Sequence, residues 1–281
     1  MKKYKMNNGY MIPAMILGTY QIESQSKMDE MVFEAFRCGC MGFDTSPSYG
    51  TEEQLGMSIK KAMDNYSVDR SMIFLTDKID GIQMCESYGN IEGYVDQALK
   101  KLGVEYIDLL LIHWPFLRYI DSTWNNMQTL VHKGKVKSLG LSNVDRRIFG
   151  EIVELVGEIN PQIIQNEISP LNCMCGDTSY FNRKGIIIEA YSSLCRMIPA
   201  IKESSTLKKL SAKYGKTIPQ IILRWNYQRG IIPIFKSNRA ERIRENFDIF
   251  SFELLPEEIL NINKMDQQYR IFPQSYGCPG A

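Results

Sequence analysis

Four polar side chains stand at or just beyond the ends of short apolar runs: Asp44, Tyr49, Lys78 and His113. A tyrosine is a weak acid with a pKa near 10, and a neighbouring ammonium group favours its ionised form. We therefore expect Lys78 to lower the pKa of Tyr49, and Asp44 to hold the lysine in place. Such a phenol can protonate a carbonyl oxygen while His113 donates a hydrogen bond to the same oxygen. The residue types predict one proton-handling site.

These four groups can meet only if their strands end on the same side of the fold. Strand-like runs alternate with helical stretches along the chain, and crossovers of this length imply parallel pairing. The predicted strands cover residues 14–17, 42–44, 71–78, 106–112, 136–141, 162–164, 186–190 and 231–235. A closed α/β barrel needs about 250 residues and gathers its strand ends at one face. The pattern predicts a (β/α)8 TIM barrel in which Asp44, Lys78 and His113 end adjacent strands.

Two further elements complete this predicted barrel. The turn Asn7-Asn8-Gly9 indicates an N-terminal β-hairpin that closes the bottom, and a C-terminal loop lies over the active site. A doubly wound sheet is the competing fold, but it would require a Gly-x-Gly-x-x-Gly turn, which the sequence lacks. We interpret residues 1–281 as one domain.

The predicted helices follow the apolar spacing of three and four residues. The first begins near Lys27, with Ser26 as its N-cap and Gly39 as its end. The others cover residues 51–63, 92–102, 122–132, 147–158, 206–214, 219–228, 239–246 and 256–265.

The composition is that of an ordinary globular protein, with 44% apolar and 23% charged residues and a net charge of +1. Nothing in it indicates a nucleic-acid surface, a membrane helix or a signal peptide. Seven scattered cysteines suit a reducing compartment, so we expect a cytoplasmic protein. With two histidines and no zinc-type cysteine spacing, we expect no metal site.

Motifs along the chain resemble those of the aldo-keto reductase family in order and spacing. They are Gly-Phe-Asp-Thr at 42–45 with Tyr49-Gly50, Lys78, Leu-Ile-His-Trp at 111–114, and the stretches 134–143 and 236–246. The resemblance covers nearly the whole chain. It implies an NADPH-dependent reductase that converts the carbonyl of an aldehyde, ketone or keto-sugar to an alcohol. By that resemblance Tyr49 is the general acid, Lys78 and Asp44 tune it, and His113 orients the substrate.

The same resemblance implies which residues bind NADPH or NADP+. They are Gly18, Thr19, Ser142, Asn143, Gln165, Tyr191, Ser192, Leu194, Lys236, Ser237, Arg242, Glu245 and Asn246. Within this set, Ser142, Asn143 and Gln165 would bind the nicotinamide amide, and Tyr191 would stack on the ring. Ser192 and Leu194 would approach the pyrophosphate. Lys236, Ser237 and Arg242 would hold the 2′-phosphate, and Glu245 and Asn246 would lie near the adenine. The cations at 236, 239 and 242 favour NADPH over NADH, because they match a phosphate dianion.

Aromatic side chains just past the strand ends are candidates for the substrate pocket, Tyr20 and Trp114 first among them, with Phe116 and Tyr119 beyond. The tail residues Ile271, Phe272 and Tyr276 could close the pocket. The same aromatics could instead pack the barrel rim. The expected partner is a small carbonyl compound, and the expected assembly is a monomer or weak dimer.

The chain departs from the family pattern at several positions. Phe235 stands where a proline usually precedes the lysine, and Arg239 replaces a small hydroxyl residue. The loop at 193–195 lacks the usual proline and glycine. Asp77 precedes Lys78 where a small neutral residue is usual, so its carboxylate could raise the pKa of Tyr49, compete for Lys78 or point outward.

Two other functions fit parts of this sequence. A dinucleotide-binding redox sensor would keep the cofactor site with little turnover, although the chain has no long insertion to bind a partner. A barrel that carries pyridoxal phosphate on Lys78 would show a visible absorbance. A substrate panel run with NADPH and NADH separates these possibilities.

Overall fold

The computed structural model describes residues 2–157 and 159–273. The N-terminal strands β1 (Lys3–Lys5) and β2 (Met11–Pro13) form an antiparallel hairpin. The barrel strands are β3 (Ile16–Gly18), β4 (Gly42–Asp44), β5 (Phe74–Ile79), β6 (Leu109–Ile112), β7 (Leu139–Ser142), β8 (Ile163–Glu167), β9 (Ile187–Tyr191) and β10 (Ile231–Phe235).

These eight strands form a closed parallel barrel, in which β10 pairs with β3 to complete the ring. The predicted TIM barrel is confirmed. Several strands begin later than predicted, and β5 is the clearest case. Arg70–Met72 forms a single 3-10 turn, so β5 starts at Phe74 and runs one residue beyond Lys78. β8 likewise extends to Glu167, which places Gln165 inside the strand.

Helices follow the strands and cover the outside of the barrel. They are α1 (Gln25–Arg37), α2 (Glu52–Tyr66), α3 (Gly81–Glu86), α4 (Glu92–Leu102), α5 (Ile120–His132), α6 (Arg146–Val156), α7 (Cys175–Arg183), α8 (Pro199–Lys202), α9 (Ser205–Tyr214), α10 (Ile218–Gln228), α11 (Ala240–Phe247) and α12 (Pro256–Asn263). The predicted N-cap of α1 is wrong. Ser24, not Ser26, caps it and accepts a hydrogen bond from the backbone N–H of Lys27 at 3.3 Å.

Three of these helices have no predicted counterpart: α3, α7 and α8. α7 carries a mostly polar sequence and buries only Thr178 and Phe181, so it lacks the apolar stripe that would have marked it. The predicted end of α6 at Glu158 falls outside the described residues, and the helix ends at Val156.

The N-terminal hairpin closes the bottom of the barrel, as predicted. The Asn7 side chain donates to Asn160 Oδ1 and to the carbonyl oxygen of Pro161, both at 3.0 Å, just before β8 begins. Asn8 donates to Ser138 Oγ at 3.0 Å, just before β7. Met6 and Ile12 of the hairpin belong to the apolar cluster inside the barrel, whose other buried members are Ile16, Phe74, Leu109, Leu111, Ile163, Ile232 and Ile234. The lower barrel is therefore filled, which leaves the opposite face for a site.

A larger apolar cluster joins the outside of the barrel to its helices. One close approach of its helices is at Gly56 of α2, where an added Cβ would lie 2.4 Å from the carbonyl oxygen of Leu102 in α4. Only glycine lets these two helices pack so closely. None of the helices in the described part of the chain is both long and apolar enough to span a membrane.

Candidate active site

Asp44 and Lys78 form a buried ion pair at the carboxyl ends of β4 and β5. Lys78 Nζ lies 2.6 Å from Asp44 Oδ1 and donates to the carbonyl oxygen of Thr45 at 2.8 Å. Both side chains are buried. Burial lowers the pKa of Lys78, but the Asp44 carboxylate and Tyr49 raise it by more. The pKa of Lys78 therefore lies above its ordinary value. Lys78 therefore stays a cation.

Tyr49 lies directly beside this ion pair. It ends a single 3-10 turn, Pro47–Tyr49, which is closed by Gly50 with φ of 66°. Lys78 Nζ is 4.9 Å from the centre of the tyrosine ring, and the His113 ring meets that ring edge-on at 5.8 Å. The structure thus brings Asp44, Tyr49, Lys78 and His113 together at one corner of the barrel mouth.

The expected lowering of the pKa of Tyr49 is wrong. Desolvation around the ring raises the pKa of Tyr49 to about 12; Lys78 acts against this and Asp44 acts with it. Desolvation is the largest of these influences and outweighs the lysine. Tyr49 therefore keeps its proton at neutral pH.

Asp80 is a partner of His113 that the sequence reasoning missed. Its Oδ1 lies 2.5 Å from His113 Nδ1, while Oδ2 accepts from the backbone N–H of Ser48 at 3.0 Å. Ser46 Oγ is 3.2 Å from the same histidine nitrogen. Burial acts to raise the pKa of Asp80, but the hydrogen bond with His113 and the other contacts of the carboxylate lower it below its ordinary value. The ionised carboxylate only accepts hydrogen bonds, so the proton of this contact belongs to His113 Nδ1.

Asp77 lies outside this cluster. Successive residues of a strand face opposite sides, and Lys78 faces the barrel interior. Asp77 is buried beneath α2, and its Oδ1 accepts from the backbone N–H of Lys78 at 2.8 Å. Burial and the Glu52 carboxylate raise the pKa of Asp77 well above its ordinary value. Of the three possibilities for this residue, the structure shows the outward one.

A second carboxylate inside the barrel, Glu189 of β9, was also missed. Gln165 Nε2 donates to both Asp44 Oδ2 and Glu189 Oε2 at 2.9 Å, so it bridges the two acids. Glu189 is buried, and its Oε1 has no hydrogen-bond partner among the described residues. Burial, and then the Asp44 charge, raise the pKa of Glu189 to about 8. A glutamate within the apolar run 186–190 was the available signal.

Asn143 and Tyr191 occupy the next part of the rim. The Asn143 side chain donates to the carbonyl oxygen of His113 at 2.9 Å and accepts from the Tyr191 hydroxyl at 2.5 Å. Its backbone has φ of 61°, a left-handed conformation that asparagine tolerates better than most residues. Ser142 Oγ accepts from the same side chain at 3.2 Å.

A cavity of about 840 Å³ opens above these groups. Its lining includes these residues from the sequence predictions: Gly18, Tyr20, Asp44, Tyr49, His113, Trp114, Asn143, Gln165, Tyr191, Ser192, Leu194, Lys236, Arg242 and Phe272. Phe116 and Tyr119 do not line it. Lys236 directly follows β10 and Arg242 lies on α11, both far from Tyr49 in the chain. In the part of the chain that the structure describes, neither has a carboxylate within salt-bridge distance. The cavity therefore combines a proton-handling corner with two unpaired cations.

Five of the predicted cofactor residues do not line the cavity: Thr19, Ser142, Ser237, Glu245 and Asn246. Thr19 Oγ1 donates to the carbonyl oxygen of Asp44 at 3.0 Å, which fixes the end of β4. Ser237 Oγ accepts from the backbone N–H of Arg239 at 3.1 Å and so organises the start of α11. Glu245 Oε1 accepts from Thr217 at 2.7 Å, which links α11 to the N-cap of α10.

The C-terminal tail crosses the mouth of the cavity. Glu167, at the end of β8, accepts from the backbone N–H groups of Ile271 at 2.6 Å and Phe272 at 2.8 Å. The Phe272 ring lies 6.4 Å from that of Tyr20 and 6.1 Å from that of Tyr191. The predicted loop over the site is present as far as Pro273, and Tyr276 lies outside the described residues.

The loop after β9 departs from regular backbone geometry, at the place where the usual proline and glycine are missing. Ser192, Cys195, Arg196 and Met197 all have φ between 48° and 53°. Left-handed backbone in non-glycine residues costs about 1 kcal/mol or more each. No cluster of histidine, cysteine and acidic side chains able to hold a metal ion occurs in residues 2–157 and 159–273.

The fold is a TIM barrel, and its mouth holds a buried Asp–Lys pair, a tyrosine and a histidine. Such a site is typical of a class of oxidoreductases. Comparison with known proteins identifies the family. The model of the aldo/keto reductase family matches residues 14–267, and the chain belongs to that family.

Two relatives and one solved structure illustrate the match. An uncharacterised oxidoreductase, YtbE, and a glyoxal reductase, both from Bacillus subtilis, are each 32% identical to this chain. The matches cover 96% of this chain and 95% and 94% of those proteins. The crystal structure of the Bombyx mori aldo-keto reductase AKR2E4 in complex with NADP superposes with a TM-score of 0.87 at 30% identity, covering 98% of both chains.

Proposed function

We propose that this protein is an NADPH-dependent reductase that converts the carbonyl group of a small aldehyde, ketone or keto-sugar to an alcohol. The observation that carries the proposal is the Asp44–Lys78 ion pair at 2.6 Å beneath the Tyr49 ring, next to His113 and open to a cavity. Family membership and the resemblance to a glyoxal reductase support it.

The cavity fits a phosphorylated dinucleotide. Lys236 and Arg242 have no carboxylate within salt-bridge distance among the described residues. Burial lowers the pKa of Lys236, and the more distant Glu23 charge only partly offsets this. The two cations would hold the 2′-phosphate. Asn143 and Gln165 would bind the nicotinamide amide, and Tyr191 would lie against the ring. When bound, NADPH supplies the hydride from C4 of its nicotinamide.

Tyr49 supplies the proton. As the carbonyl carbon is reduced, negative charge develops on the oxygen, and a phenol that keeps its proton at neutral pH is ready to transfer it there. The tyrosinate that results is stabilised by the Lys78 ammonium 4.9 Å from the ring centre. Asp44 holds that ammonium in place and keeps it charged.

His113 positions the carbonyl in a pH-dependent way. Because Nδ1 donates to Asp80, a neutral His113 has no proton on Nε2 and cannot donate from that atom. Burial lowers the pKa of His113 below its ordinary value of 6.5; Asp80 raises it and Lys78 lowers it further. Only the imidazolium donates to the carbonyl oxygen from Nε2, so we propose that acid conditions favour reduction.

Aromatic side chains exclude water from the reacting corner. Tyr20 packs on Tyr49 at 5.0 Å between ring centres, Trp114 lies beside His113 at 6.3 Å, and Phe272 closes the tail side. A less polar surrounding strengthens each electrostatic contact within it. The wall favours small carbonyl compounds with apolar or neutral polar substituents.

A pyridoxal phosphate adduct on Lys78 is disfavoured by the same geometry. A Schiff base requires a neutral amine, whereas Lys78 is buried, donates to Asp44 and Thr45, and has a raised pKa. The sensor alternative has no specific structural support, and the assay below separates it from a reductase.

The test is to replace Tyr49 with Phe and to measure NADPH oxidation with a panel of aldehydes, ketones and keto-sugars that includes glyoxal. We expect kcat to fall by about 10²- to 10⁴-fold while NADPH affinity, followed by fluorescence, is retained. The comparison variant is Tyr20→Phe, which removes a neighbouring phenol of the cavity wall and leaves Tyr49 and the Asp44–Lys78 pair in place. Full turnover by Tyr49→Phe contradicts its role. Tight NADPH binding by the wild type with no turnover of any carbonyl contradicts the reductase and favours the sensor.

A second test concerns the choice of cofactor. Arg242→Ala should raise KM for NADPH about 10- to 100-fold and leave KM for NADH nearly unchanged, because only NADPH carries the 2′-phosphate. Arg239→Ala is the comparison. The sequence grouped this cation with those at 236 and 242, but Arg239 is exposed and does not line the cavity, so its effect should be smaller. Equal effects on the two cofactors would show that Arg242 does not bind the phosphate.

A further inference from the structure

Two cysteines lie close together in the segment that joins β8 to α7, on the outside of the barrel. Cys173 and Cys175 are separated by Met174, whose φ of 47° and ψ of 36° are left-handed helical. Helical dihedrals of either hand bring the Cα atoms of residues i and i+2 to about 5.4 Å. Disulfides usually join Cα atoms about 4.4–6.8 Å apart. The backbone therefore already holds these two residues at disulfide spacing.

The two thiols have opposite environments. Cys175 is exposed and begins α7, where the backbone N–H groups favour a negative charge. Cys173 is fully buried, and its Sγ donates to the carbonyl oxygens of Pro170 at 3.4 Å and Asn263 at 3.5 Å. The neighbouring Cys173 thiol and then the Arg229 charge lower the pKa of Cys175 to about 6. The proximity of Cys175 and burial raise the pKa of Cys173. Cys175 is therefore the more acidic thiol of the pair.

Arg229 supplies the positive charge at this site. Its guanidinium stacks on Trp225 at 4.3 Å, and Nη2 donates to Cys173 O at 2.7 Å and to Cys175 Sγ at 3.5 Å. Nη1 is buried without an acceptor among the residues described. Reactive cysteines lie in such electropositive, partly exposed places, often beside a second cysteine that resolves the oxidised form.

We propose that Cys173 and Cys175 form a reversible oxidation site for hydrogen peroxide or a small organic hydroperoxide. The Cys175 thiolate attacks a peroxide oxygen: an S–O bond forms, the O–O bond breaks, and the released hydroxide or alkoxide takes a proton. This step oxidises the sulfur by two electrons and reduces the peroxide. The Cys173 thiol then attacks the sulfenic sulfur: the S–S bond forms, the S–O bond breaks, and water leaves with the Cys173 proton. A dithiol reductant restores both thiols by exchange.

The site is connected to the tail that crosses the active-site mouth. Cys173 donates its backbone N–H to Asp266 at 3.3 Å, and the carbonyl oxygen of Leu171 accepts from Gln267 at 3.0 Å and Tyr269 at 2.9 Å. Phe272 follows three residues later. A disulfide removes the S–H that Cys173 donates to Pro170 and Asn263. We therefore expect oxidation to raise KM for a carbonyl substrate severalfold, a consequence that rests on the proposed function, whereas the oxidation itself does not.

The experiment treats the full chain with hydrogen peroxide and maps its thiols by peptide mass spectrometry. The expected result is a Cys173–Cys175 disulfide in the wild type and a dimedone-trapped sulfenic acid on Cys175 in Cys173→Ser. Cys175→Ser should give neither. Cys85→Ser is the matched control and should oxidise like the wild type, because Cys85 lies on α3, far from Arg229 in the chain. In the wild type, alkylation of Cys175 by iodoacetamide should be half-maximal near pH 6, against about 8.5 for free cysteine.

Three results would overturn the oxidation site, and none of them depends on enzyme activity. They are an alkylation midpoint like that of free cysteine, preferential oxidation of Cys85 or Cys38, and a disulfide that joins Cys175 to any cysteine other than Cys173. The mapping of the wild type requires no variant to fold. The disulfide could form without any change in KM for a carbonyl compound that the protein reduces. The proposed effect on the C-terminal tail would then be wrong, while the oxidation site would stand.

Discussion

The two sides of the barrel mouth hold charge in different ways. On the β4–β6 side each charged group has a close partner, since Asp44 is 2.6 Å from Lys78 and Asp80 is 2.5 Å from His113. On the β8–β9 side, Glu167 and Glu189 have no salt bridge among the described residues, and burial raises the pKa of both. On the first side Asp44 raises the pKa of Lys78 and keeps it charged, whereas on the second side burial favours the neutral form of the two carboxyl groups.

This difference follows from where the barrel places its cations. Lys78 is a buried cation at this level of the barrel, and it already forms an ion pair with Asp44. Glu189 reaches that pair only through Gln165, which can bridge both acids with one amide group. The comparison teaches that the proposed chemistry depends on one lysine whose charge is fixed by a dedicated partner. The predictions below break that arrangement first at the ion pair, then at Glu189, and finally at Asp80.

The largest effect is expected from Lys78→Met. The variant loses the cation that stabilises the Tyr49 phenolate, so kcat/KM for an aldehyde should fall by about 10³-fold, or about 4 kcal/mol in the activation free energy. It also leaves Asp44 as an uncompensated buried charge, which should lower the free energy of unfolding by about 3–5 kcal/mol. Steady-state kinetics and urea unfolding measure the two effects.

The double variant Asp44→Asn with Lys78→Met separates chemistry from folding. It removes both charges, so stability should recover while activity stays low. Asp77→Asn is the control beside it in the strand, and it should keep most of the activity because Asp77 faces α2. Activity that recovers together with stability in the double variant would show that Lys78 is structural.

Glu189→Gln tests the raised pKa on the β8–β9 side of the mouth, through its effect on the free energy of unfolding. The folded-state pKa of Glu189 is about 8, above its ordinary 4.5, so between these values the folded chain binds more protons than the unfolded chain. Wild-type stability therefore falls as pH rises from 4.5 to 8, and glutamine avoids that loss. The variant should match the wild type near pH 4.5 and exceed it by about 2–4 kcal/mol near pH 9.

The measurement is the urea midpoint and m-value of both proteins at the two pH values. Glu154→Gln is the control, because it removes the same charge from the exposed face of α6. The difference in the free energy of unfolding between Glu154→Gln and the wild type should not grow with pH. A constant difference between Glu189→Gln and the wild type would mean that Glu189 is ionised throughout this range.

The sequence predicted the barrel and the four groups at its corner because both depend on local, repeated features. Apolar strands that end in Asp44, Lys78 and His113 identify one face of a parallel barrel, whatever the exact strand limits. The pKa of Tyr49 could not be predicted, since desolvation depends on packing from distant elements, and it outweighs the lysine that the sequence does place nearby.

The missed residues show where local reasoning stops. Asp80 directly follows β5 and His113 directly follows β6, and the pairing of Ile79 with Ile112 sets them side by side. That contact depends on the register between two strands, which the sequence does not show. Glu189 interrupts an apolar run, which indicates a buried acid, but its neighbour Asp44 is supplied by a strand across the barrel. α7 has too few apolar residues to show helical periodicity.

The smallest effect is expected from Asp80→Asn, and it is visible mainly in the pH profile. If His113 donates from Nε2 only as an imidazolium, wild-type kcat/KM rises as pH falls through the His113 pKa, which lies below 6.5. The neutral amide no longer stabilises the imidazolium, so the rise should move to lower pH or be lost, and activity near pH 6 should fall by about tenfold. Ser48→Ala is the comparison: it removes one hydroxyl donor to Asp80 Oδ1 at 3.3 Å but keeps the carboxylate and its backbone donor, so the midpoint should move less. An unchanged midpoint in Asp80→Asn would mean that His113 acts as a neutral group and that Asp80 only fixes its ring.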